Sequence, residues 1–448
     1  MRQATLRTTV LTLTLAALFA APQLRAEDLL QIYREAQQND PTLAAARASW
    51  AATQELVPQA RSALLPTVNG AASANLNNFS ETIRTDPQTD ISNRTFRLGS
   101  LSVSAAQPLY RVANKVAYDQ AKQQVAQADY TLSSAQQDLI LRVAQAYFDV
   151  LLAEFNVELA ESQKTAVSEQ LAQAKRNFEV GTATITDTNE AQAKYDQIIA
   201  TEIQARNDLD RRRTALTAII GRAPGNLKRV GRGFEPTLPD PNNVDYWVDR
   251  ALRENLSVRF AISNYEIAAL EVDRARAGHL PTVDAVASAG AVANSGSTTT
   301  DFGGNTRSGL FGIVVNVPIY TGGFVNSRVR EAISLQDRSR ADLEFAKRAA
   351  VTNAQDGFSG VNSAAAGVKA FEQAVASAEV ALQSNILGQE VGIRTNLDVL
   401  NVQQNVYSTR RDLANAYFTY LLAVLRLKSA VGSLNEQDLQ DINRRLNG

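Results

Sequence analysis

One nine-residue motif occurs twice in this 448-residue chain, at a separation of 211 residues. It reads EVGTATITD at 179–187 and EVGIRTNLD at 390–398. Three further pairs of similar segments keep the same order, at separations of 210 to 215 residues: 57–73 with 272–288, 104–110 with 314–320, and 216–221 with 427–432. Matching landmarks in the same order predict two structural copies of about two hundred residues each.

The N-terminus and the join between the copies differ in composition from the rest of the chain. Arg2 and Arg7 precede a short apolar run at 10–21, and the proposed cleavage site follows the small residue Ala26, an arrangement typical of a secretory signal rather than a membrane span. A stretch rich in Pro and Gly lies between the copies. We therefore divide the chain into a signal peptide at 1–26, a first repeat at 27–222, a linker at 223–245, a second repeat at 246–432 and a C-terminal tail at 433–448.

Each copy contains two segments in which apolar and small residues alternate with polar ones. Each segment is close to the length needed to cross a bilayer, about 9–11 residues, and weak alternating hydrophobicity is typical of membrane β-barrels. Tyr110 and Tyr320 stand where an interfacial aromatic belt is expected. On this pattern alone a soluble β-ribbon remains an alternative. The predicted strands are 67–79, 97–108, 282–294 and 309–318.

Very long helices follow the strands. No Pro or Gly interrupts the chain from Tyr110 to Phe178, which predicts a helix about 100 Å long that needs a partner alongside. Gly181 is a natural helix terminator, and Thr184 with Asp187 forms the sequence signature of a new helix start. The second motif repeats these features. The segments 179–187 and 390–398 are therefore predicted to be the tight tips of two antiparallel helical hairpins.

Composition argues against several classes of function. The formal charge is −1, from 45 basic and 46 acidic residues, which gives no electrostatic reason to bind nucleic acid. The chain has no Cys and a single His, His279, so thiolate and His-based metal sites are excluded. No phosphate-binding loop or dinucleotide motif is present. We expect neither enzymatic activity nor a cofactor.

Taken together, these features resemble the TolC-type outer-membrane efflux ducts. The resemblance rests on the two repeats, LLPT and HLPT before the strands, PLY and PIY after them, VGTATITD, VGIRTNLDVL and the closing GSLNEQDL, and it covers nearly the whole chain after residue 26. It implies a homotrimer with a twelve-stranded membrane barrel and a periplasmic helical tunnel. Strand number is compatible, since four strands per chain are fewer than the roughly eight needed to close a membrane barrel.

The resemblance also implies a gate at the helical tips. Thr186, Asp187 and Arg394 match gating residues of the family, and Gln389 stands where the family archetype has a Tyr that helps to lock the gate. Asp398 matches a pore-facing Asp that three-fold symmetry turns into a carboxylate ring, which would favour cations and could bind a multivalent one. Helix capping alone is the alternative role for Asp187 and Asp398.

The pore constriction implied by the resemblance differs from that of the archetype at one further position. Asn401 stands where the archetype has a second acidic ring residue, so one ring is expected instead of two. Contacts with a periplasmic adaptor protein are expected in grooves around the tips, at Val180, Gly181, Val391 and Gly392.

The function implied is passive export through the outer membrane. An inner-membrane efflux pump or secretion ATPase would drive drugs or secreted proteins through the open tunnel, and lipid of the outer membrane would surround the barrel. The sequence leaves open whether the cargo is small molecules or proteins. An exported coiled-coil scaffold or adhesin without a channel is the alternative from another class.

Overall fold

The computed structural model describes residues 26–85, 88–229 and 235–446, so most of the predicted signal peptide and part of the predicted linker lie outside the described residues. The elements before the linker are α1 Leu29–Asn39, α2 Pro41–Gln54, α3 Leu56–Ser62, β1 Thr67–Thr85, β2 Gln88–Tyr110, α4 Val112–Glu179 and α5 Ile185–Ile220. Those after it are α6 Val244–Glu254, α7 Leu256–Arg276, β3 Thr282–Asn294, β4 Gly304–Asn316, α8 Phe324–Glu390, α9 Asn396–Val431 and α10 Glu436–Leu446.

Two helices dominate the molecule. Helix α4 has 68 residues and α8 has 67, whereas their partners α5 and α9 have 36 each. Each long helix therefore pairs with its partner over only part of its length, and α7 packs against the remaining parts of both α4 and α8. At position 357 a glycine permits close approach, since a Cβ there would lie 3.2 Å from the Leu427 Cα. None of the described helices is both long enough and apolar enough to cross a membrane.

The four strands form one antiparallel sheet in the order β1-β2-β3-β4. Strands β1 and β2 extend beyond the predicted strands and remain paired up to Thr85 and Gln88, whereas β4 both begins and ends earlier than the predicted 309–318. The sequence pattern does not predict the extra length of β1 and β2, because the added residues are mostly polar on both faces. The alternation used to recognise a strand is absent there. Tyr110 ends β2 and Tyr320 follows β4, and both side chains are exposed.

The main core lies around the middle of the long helices. Side chains from α1, α4, α5, α6, α8 and α9 meet there, and Tyr147, Phe148 and Tyr420 are the largest that are fully buried. Phe148 stacks on Phe418 with ring centroids 5.4 Å apart, which joins the two long hairpins. Such aromatic contacts add stability beyond the area they bury.

Both segments that flank the second half of the chain pack on this core. The Tyr147 hydroxyl donates to the Lys228 carbonyl at 2.8 Å, which fixes the start of the predicted linker. The segment predicted as a C-terminal tail contains α10, which buries Leu439 and Ile442. An ion pair of 2.9 Å between Arg34 and Glu436 links α10 to α1. Helix α10 is therefore part of the folded body.

Candidate functional site: the two helical tips

The first tip joins α4 to α5 through the five residues 180–184. Gly181 has a φ of +81°, a backbone conformation that residues with a Cβ adopt only at a cost. The N–H of Thr182 donates to the Asn177 carbonyl at 2.8 Å, which satisfies a carbonyl at the end of α4. Helix α5 then starts with a capping box, in which the Asp187 carboxylate accepts from the Thr184 N–H at 2.9 Å and the Asp187 N–H donates to the Thr184 hydroxyl at 3.2 Å.

The second tip, between α8 and α9, has the same geometry. Gly392 has a φ of +79°, and the N–H of Ile393 donates to the Gly388 carbonyl at 2.9 Å. The Asp398 carboxylate accepts from the Thr395 N–H at 3.0 Å and from the Thr395 hydroxyl at 2.9 Å. The repeated motif therefore encodes the same turn twice, and Asp398 and Asp187 are both capping residues.

The local hydrogen bonds of Asp398 also affect its charge. The N–H and then the hydroxyl of Thr395 hold the pKa of the Asp398 carboxyl below its usual 3.8, and the nearby Arg394 guanidinium acts in the same direction. Asp398 therefore carries a full negative charge at neutral pH. Its side chain is partly exposed at the very start of α9, so this charge is available to a solute near the tip.

Arg394 and Gln389 are positioned by the turn itself. The Gln389 side-chain amide donates to the Asn396 Oδ1 at 3.4 Å, a contact within the second tip. The Arg394 stem lies over Gly388, where an added Cβ would be 2.7 Å from the Arg394 Cγ. Gly388 was not recognised as a site residue from sequence, although a glycine inside a helix pattern is a signal of close approach.

A small apolar cluster holds the two hairpins together behind the tips. Leu171 of α4, Ala191 of α5 and Leu400 of α9 are buried in it. Nearby, the Lys194 ammonium donates to the Gln404 Oε1 at 3.1 Å, which joins α5 to α9. A groove of about 960 Å³, lined by both polar and apolar side chains, runs between α4, α5 and α9 beyond this point. The tips are thus the ends of one packed four-helix unit.

The structure brings some of the predicted gate residues together and leaves others apart. Arg394, Gln389 and Asp398 share the second tip, whereas Thr186 and Asp187 lie on the first. In the part of the chain that the structure describes, no hydrogen bond or ion pair joins Thr186 or Asp187 to Arg394. Any bond between these two groups would have to form between copies or in another state.

The remaining predicted residues lie on the surface. Asn401 is exposed on the first turns of α9. The side chains of Val180 and Val391 are 73% and 64% exposed, beside the exposed backbone of Gly181 and Gly392. Two matched apolar knobs therefore protrude at the ends of the hairpins. Among the described residues, no three His, Asp or Glu side chains are grouped to hold a metal ion.

Comparison with known proteins identifies the family of this chain. The profile of the family described as "Outer membrane efflux protein" matches residues 32–222 and 247–433. The chain is 35% identical to "Outer membrane protein TolC" of Vibrio cholerae over 420 residues, which cover 93% of each protein. It is 30% identical to "Proteases secretion protein PrtF" of Dickeya chrysanthemi over 447 residues, 98% of this chain and 94% of that protein.

The fold itself matches a solved structure. The crystal structure of the outer membrane protein VceC from Vibrio cholerae aligns with a TM-score of 0.75 at 22% identity and covers 90% of this chain and 96% of that one. With two matches to one family profile and identities of 35% and 30% over nearly its whole length, this chain belongs to the outer membrane efflux protein family.

Proposed function

We propose that this protein is an outer-membrane channel that carries small molecules, secreted proteins or both from the periplasm to the exterior. Membership of the outer membrane efflux protein family supports a passive channel rather than an enzyme. The family and its relatives support both kinds of cargo, since the family is described as efflux proteins and one relative is a protease secretion protein. Residues 1–26 would direct export and be removed.

The observation that carries this proposal is the contrast between the two faces of the sheet. One face presents exposed apolar side chains, among them Leu101 at 61%, Phe311 at 83% and Ile313 at 64% exposure. The opposite face is polar on β1 and β2, with Ser100 and Ser102 on the same strand as Leu101, whereas β4 has exposed apolar side chains on both faces. Apolar and polar faces in alternation are the signature of strands between lipid and a water-filled lumen.

A trimer completes the sheet. Strands β1 and β4 are edges in a single chain, and unpaired edges are rarely left open. Three copies of four strands would make a twelve-stranded barrel, wide enough for an aqueous channel. The two-repeat organisation, 27–222 and 246–432, would then give each copy one strand pair and one helical hairpin per repeat, with six hairpins around the tunnel.

The helical tips would form the gated periplasmic entrance. Thr186, Asp187, Gln389 and Arg394 are the proposed gate residues, and opening would move the hairpins apart. The adaptor protein would dock on the protruding knobs at Val180, Gly181, Val391 and Gly392 and recruit an inner-membrane pump or secretion ATPase. Support for the docking site comes from the exposure of its two Val and two Gly residues at the ends of otherwise packed helices.

Asp398 would form the acidic ring at the narrowest point, with Asn401 adding a polar ring but no charge. Asp187 has the same capping role in the first tip and is therefore a matched control for Asp398. If Asp398 were only a cap, the two residues would behave alike. If it also faces the pore, only its replacement should change ion selectivity.

Single-channel recording of the purified protein in a planar bilayer tests the proposal. A trivalent cation is added on the side of the helical tips to wild type, Asp398→Asn and Asp187→Asn. We expect cation-selective currents that the trivalent cation blocks in wild type and Asp187→Asn but not in Asp398→Asn, whatever Asp187→Asn does to the open fraction of the gate, since each Asn keeps a capping oxygen and removes one charge.

The outcomes separate the parts of the proposal. Protein that stays soluble without detergent and never inserts would overturn the channel and favour an exported scaffold. Channels whose block survives in Asp398→Asn would reject the acidic ring and leave the channel standing. A block lost equally in both variants would mean that the tip structure, and not a pore-facing charge, is responsible.

A further inference from the structure

The strands of the sheet differ in length, which leaves part of β2 without a partner on one side. Pairing between β2 and β3 ends at Leu98 with Asn294, whereas β1 and β2 stay paired to Thr85 and Gln88. The β1–β2 hairpin therefore projects beyond the shorter pair of strands. This projecting part lies at the end of the sheet opposite to the long helices.

The loop between β3 and β4, residues 295–303, folds against this projecting hairpin. The N–H of Arg97 donates to the Ser295 hydroxyl at 2.8 Å, and the N–H of Ser295 donates to the Arg97 carbonyl at 3.0 Å. The Arg94 guanidinium donates to the Thr298 carbonyl at 3.0 Å and lies 3.6 Å from the Asp301 carboxylate. Only 26% of the Arg94 side chain remains exposed.

The loop is also ordered by its own contacts. The Ser297 hydroxyl accepts from the Thr300 N–H at 3.0 Å, and the Ser297 N–H donates to the Thr300 carbonyl at 2.7 Å. Gly303 lies so close to Asn294 that a Cβ would be 2.6 Å from the Asn294 carbonyl oxygen. A loop with this many internal bonds has a defined shape and can act as a rigid flap.

Strand register shows on which side of the sheet the flap lies. Successive residues of a strand point to opposite faces, so Arg94 shares a face with Ser100 and Ser102. Arg97 lies on the opposite face with Leu101. A Cβ at Gly296 would be 3.3 Å from the Cβ of Phe96, which is on the Arg94 face. The flap therefore packs on the polar face.

We infer that residues 295–303 form an outer constriction of the channel and that Arg94 is the residue that positions it. This inference rests on the proposed function, because the polar face lines the lumen only if the sheet closes into a barrel. Three flaps would narrow the outer mouth, with Phe302, 86% exposed, at the surface of each. The constriction would set an upper size for solutes that pass the outer mouth.

Size-graded labelling of a single cysteine tests the inference without requiring the inner gate to open. The chain has no Cys, so Ser102→Cys places one thiol on the polar face below the flap. Intact cells are exposed to a small maleimide or to a large polyethylene-glycol maleimide. The thiol is placed in an otherwise wild-type chain, with Arg94→Ala, or with Arg97→Ala as a matched control on the opposite face.

We expect the small reagent to label Ser102→Cys equally in all three backgrounds. The large reagent should react roughly tenfold faster with Arg94→Ala than with wild type, because losing a hydrogen bond from a charged donor shifts an open-to-closed ratio by about that factor. Arg97→Ala should behave as wild type, since its side chain is exposed on the other face.

Leu101→Cys on the apolar face separates failure of this inference from failure of the proposed function. If the small reagent labels Leu101→Cys and Ser102→Cys at the same rate, one face does not contact lipid while the other lines a lumen. The proposed channel function is then wrong. If the small reagent distinguishes the faces but the large one reacts equally in wild type and Arg94→Ala, the outer constriction is rejected and the channel stands.

Discussion

Asp398 carries a charge whose dependence on pH follows from its hydrogen bonds. Its pKa is lowered in the folded protein, so the stabilisation from the charged form is present above the usual value of 3.8 and is lost as pH falls through the lower, folded value. We therefore predict that block by a trivalent cation is constant from pH 8 to about pH 5 and weakens only in stronger acid. Recording the block at a series of pH values checks this. A block that weakens well above pH 5 would contradict control of this charge by the Thr395 bonds and would point to repulsion between the three carboxylates of the ring.

Gly388 and Gly367 lie on the same helix and differ in what surrounds them. A methyl group at Gly388 would meet the Arg394 stem, whereas nothing lies within 4 Å of that position at Gly367. We predict that Gly388→Ala displaces Arg394 and raises the open fraction of the gate roughly tenfold, which corresponds to about 1.4 kcal/mol lost from the closed state. Single-channel open probability measures the effect.

Gly367→Ala is the control for the helix itself. It should leave the open probability unchanged and stabilise α8 slightly, by about 0.5–1 kcal/mol, because Ala has less backbone freedom to lose than Gly. Equal changes in open probability for the two variants would show that helix stiffness, and not the position of Arg394, controls the gate.

At the scale of single residues, the sequence predicts what is local. The capping boxes at Thr184 and Thr395 could be predicted because their partners lie three positions away. The contact between Gly388 and Arg394 could not, since it depends on how the turn folds back over the helix end. Which charges face a pore also depends on neighbouring copies, so the roles of Asp398 and Asn401 stay predictions.

Among the secondary-structure elements, helix α2 is held to α4 by a buried ion pair. The Asp40 carboxylate accepts from two nitrogens of the Arg142 guanidinium, at 3.0 and 3.1 Å, and from the Leu43 N–H at 2.7 Å. Only 2% of the Asp40 side chain is exposed. The hydrogen bond from Arg142 is the main cause that lowers the pKa of Asp40. This carboxylate thus both starts a helix and joins two helices.

Asp40→Ala should destabilise the protein by about 2–4 kcal/mol, because it removes a helix cap and one partner of a buried ion pair. Asp138→Ala is the matched control, since Asp138 also pairs with Arg142, at 2.7 Å, but is 59% exposed and lies on the same helix. Its loss should cost about 0.3–0.5 kcal/mol. Thermal unfolding of both variants in detergent measures the difference. Similar unfolding temperatures would show that the buried pair does not anchor α2.

The strands and helices differ in how far the sequence predicts them. Long helices without Pro or Gly and the apolar part of each strand follow from periodicity. Periodicity does not predict the projecting part of the β1–β2 hairpin, because this part is polar on both faces. It is a strand pair only because β1 and β2 stay hydrogen-bonded to each other there. Pairs such as Asp40 with Arg142, 102 positions apart, follow from helix packing alone. The packing of helix α10 likewise depends on contacts between distant parts of the chain, so the sequence pattern does not predict it.

For the whole molecule, the two proposals place constrictions at opposite ends of one channel. The tips would close the inner end, and the flaps at 295–303 would narrow the outer end. Current must cross both, so their electrical resistances add. Widening one constriction increases the current strongly only when the other constriction contributes little to the total resistance. The two ends are therefore coupled in conductance even if they are independent in structure.

This coupling gives a prediction from a double variant. Arg94→Ala alone should change the conductance little, because the closed tips supply most of the resistance. In the Gly388→Ala background the tips are more often open. The same Arg94→Ala change should then clearly increase the single-channel current averaged over time. Arg97→Ala is the control, and it should leave the current unchanged in both backgrounds. Equal proportional effects of Arg94→Ala in the two backgrounds would contradict constrictions in series, and no effect in either would place the whole resistance at the helical tips.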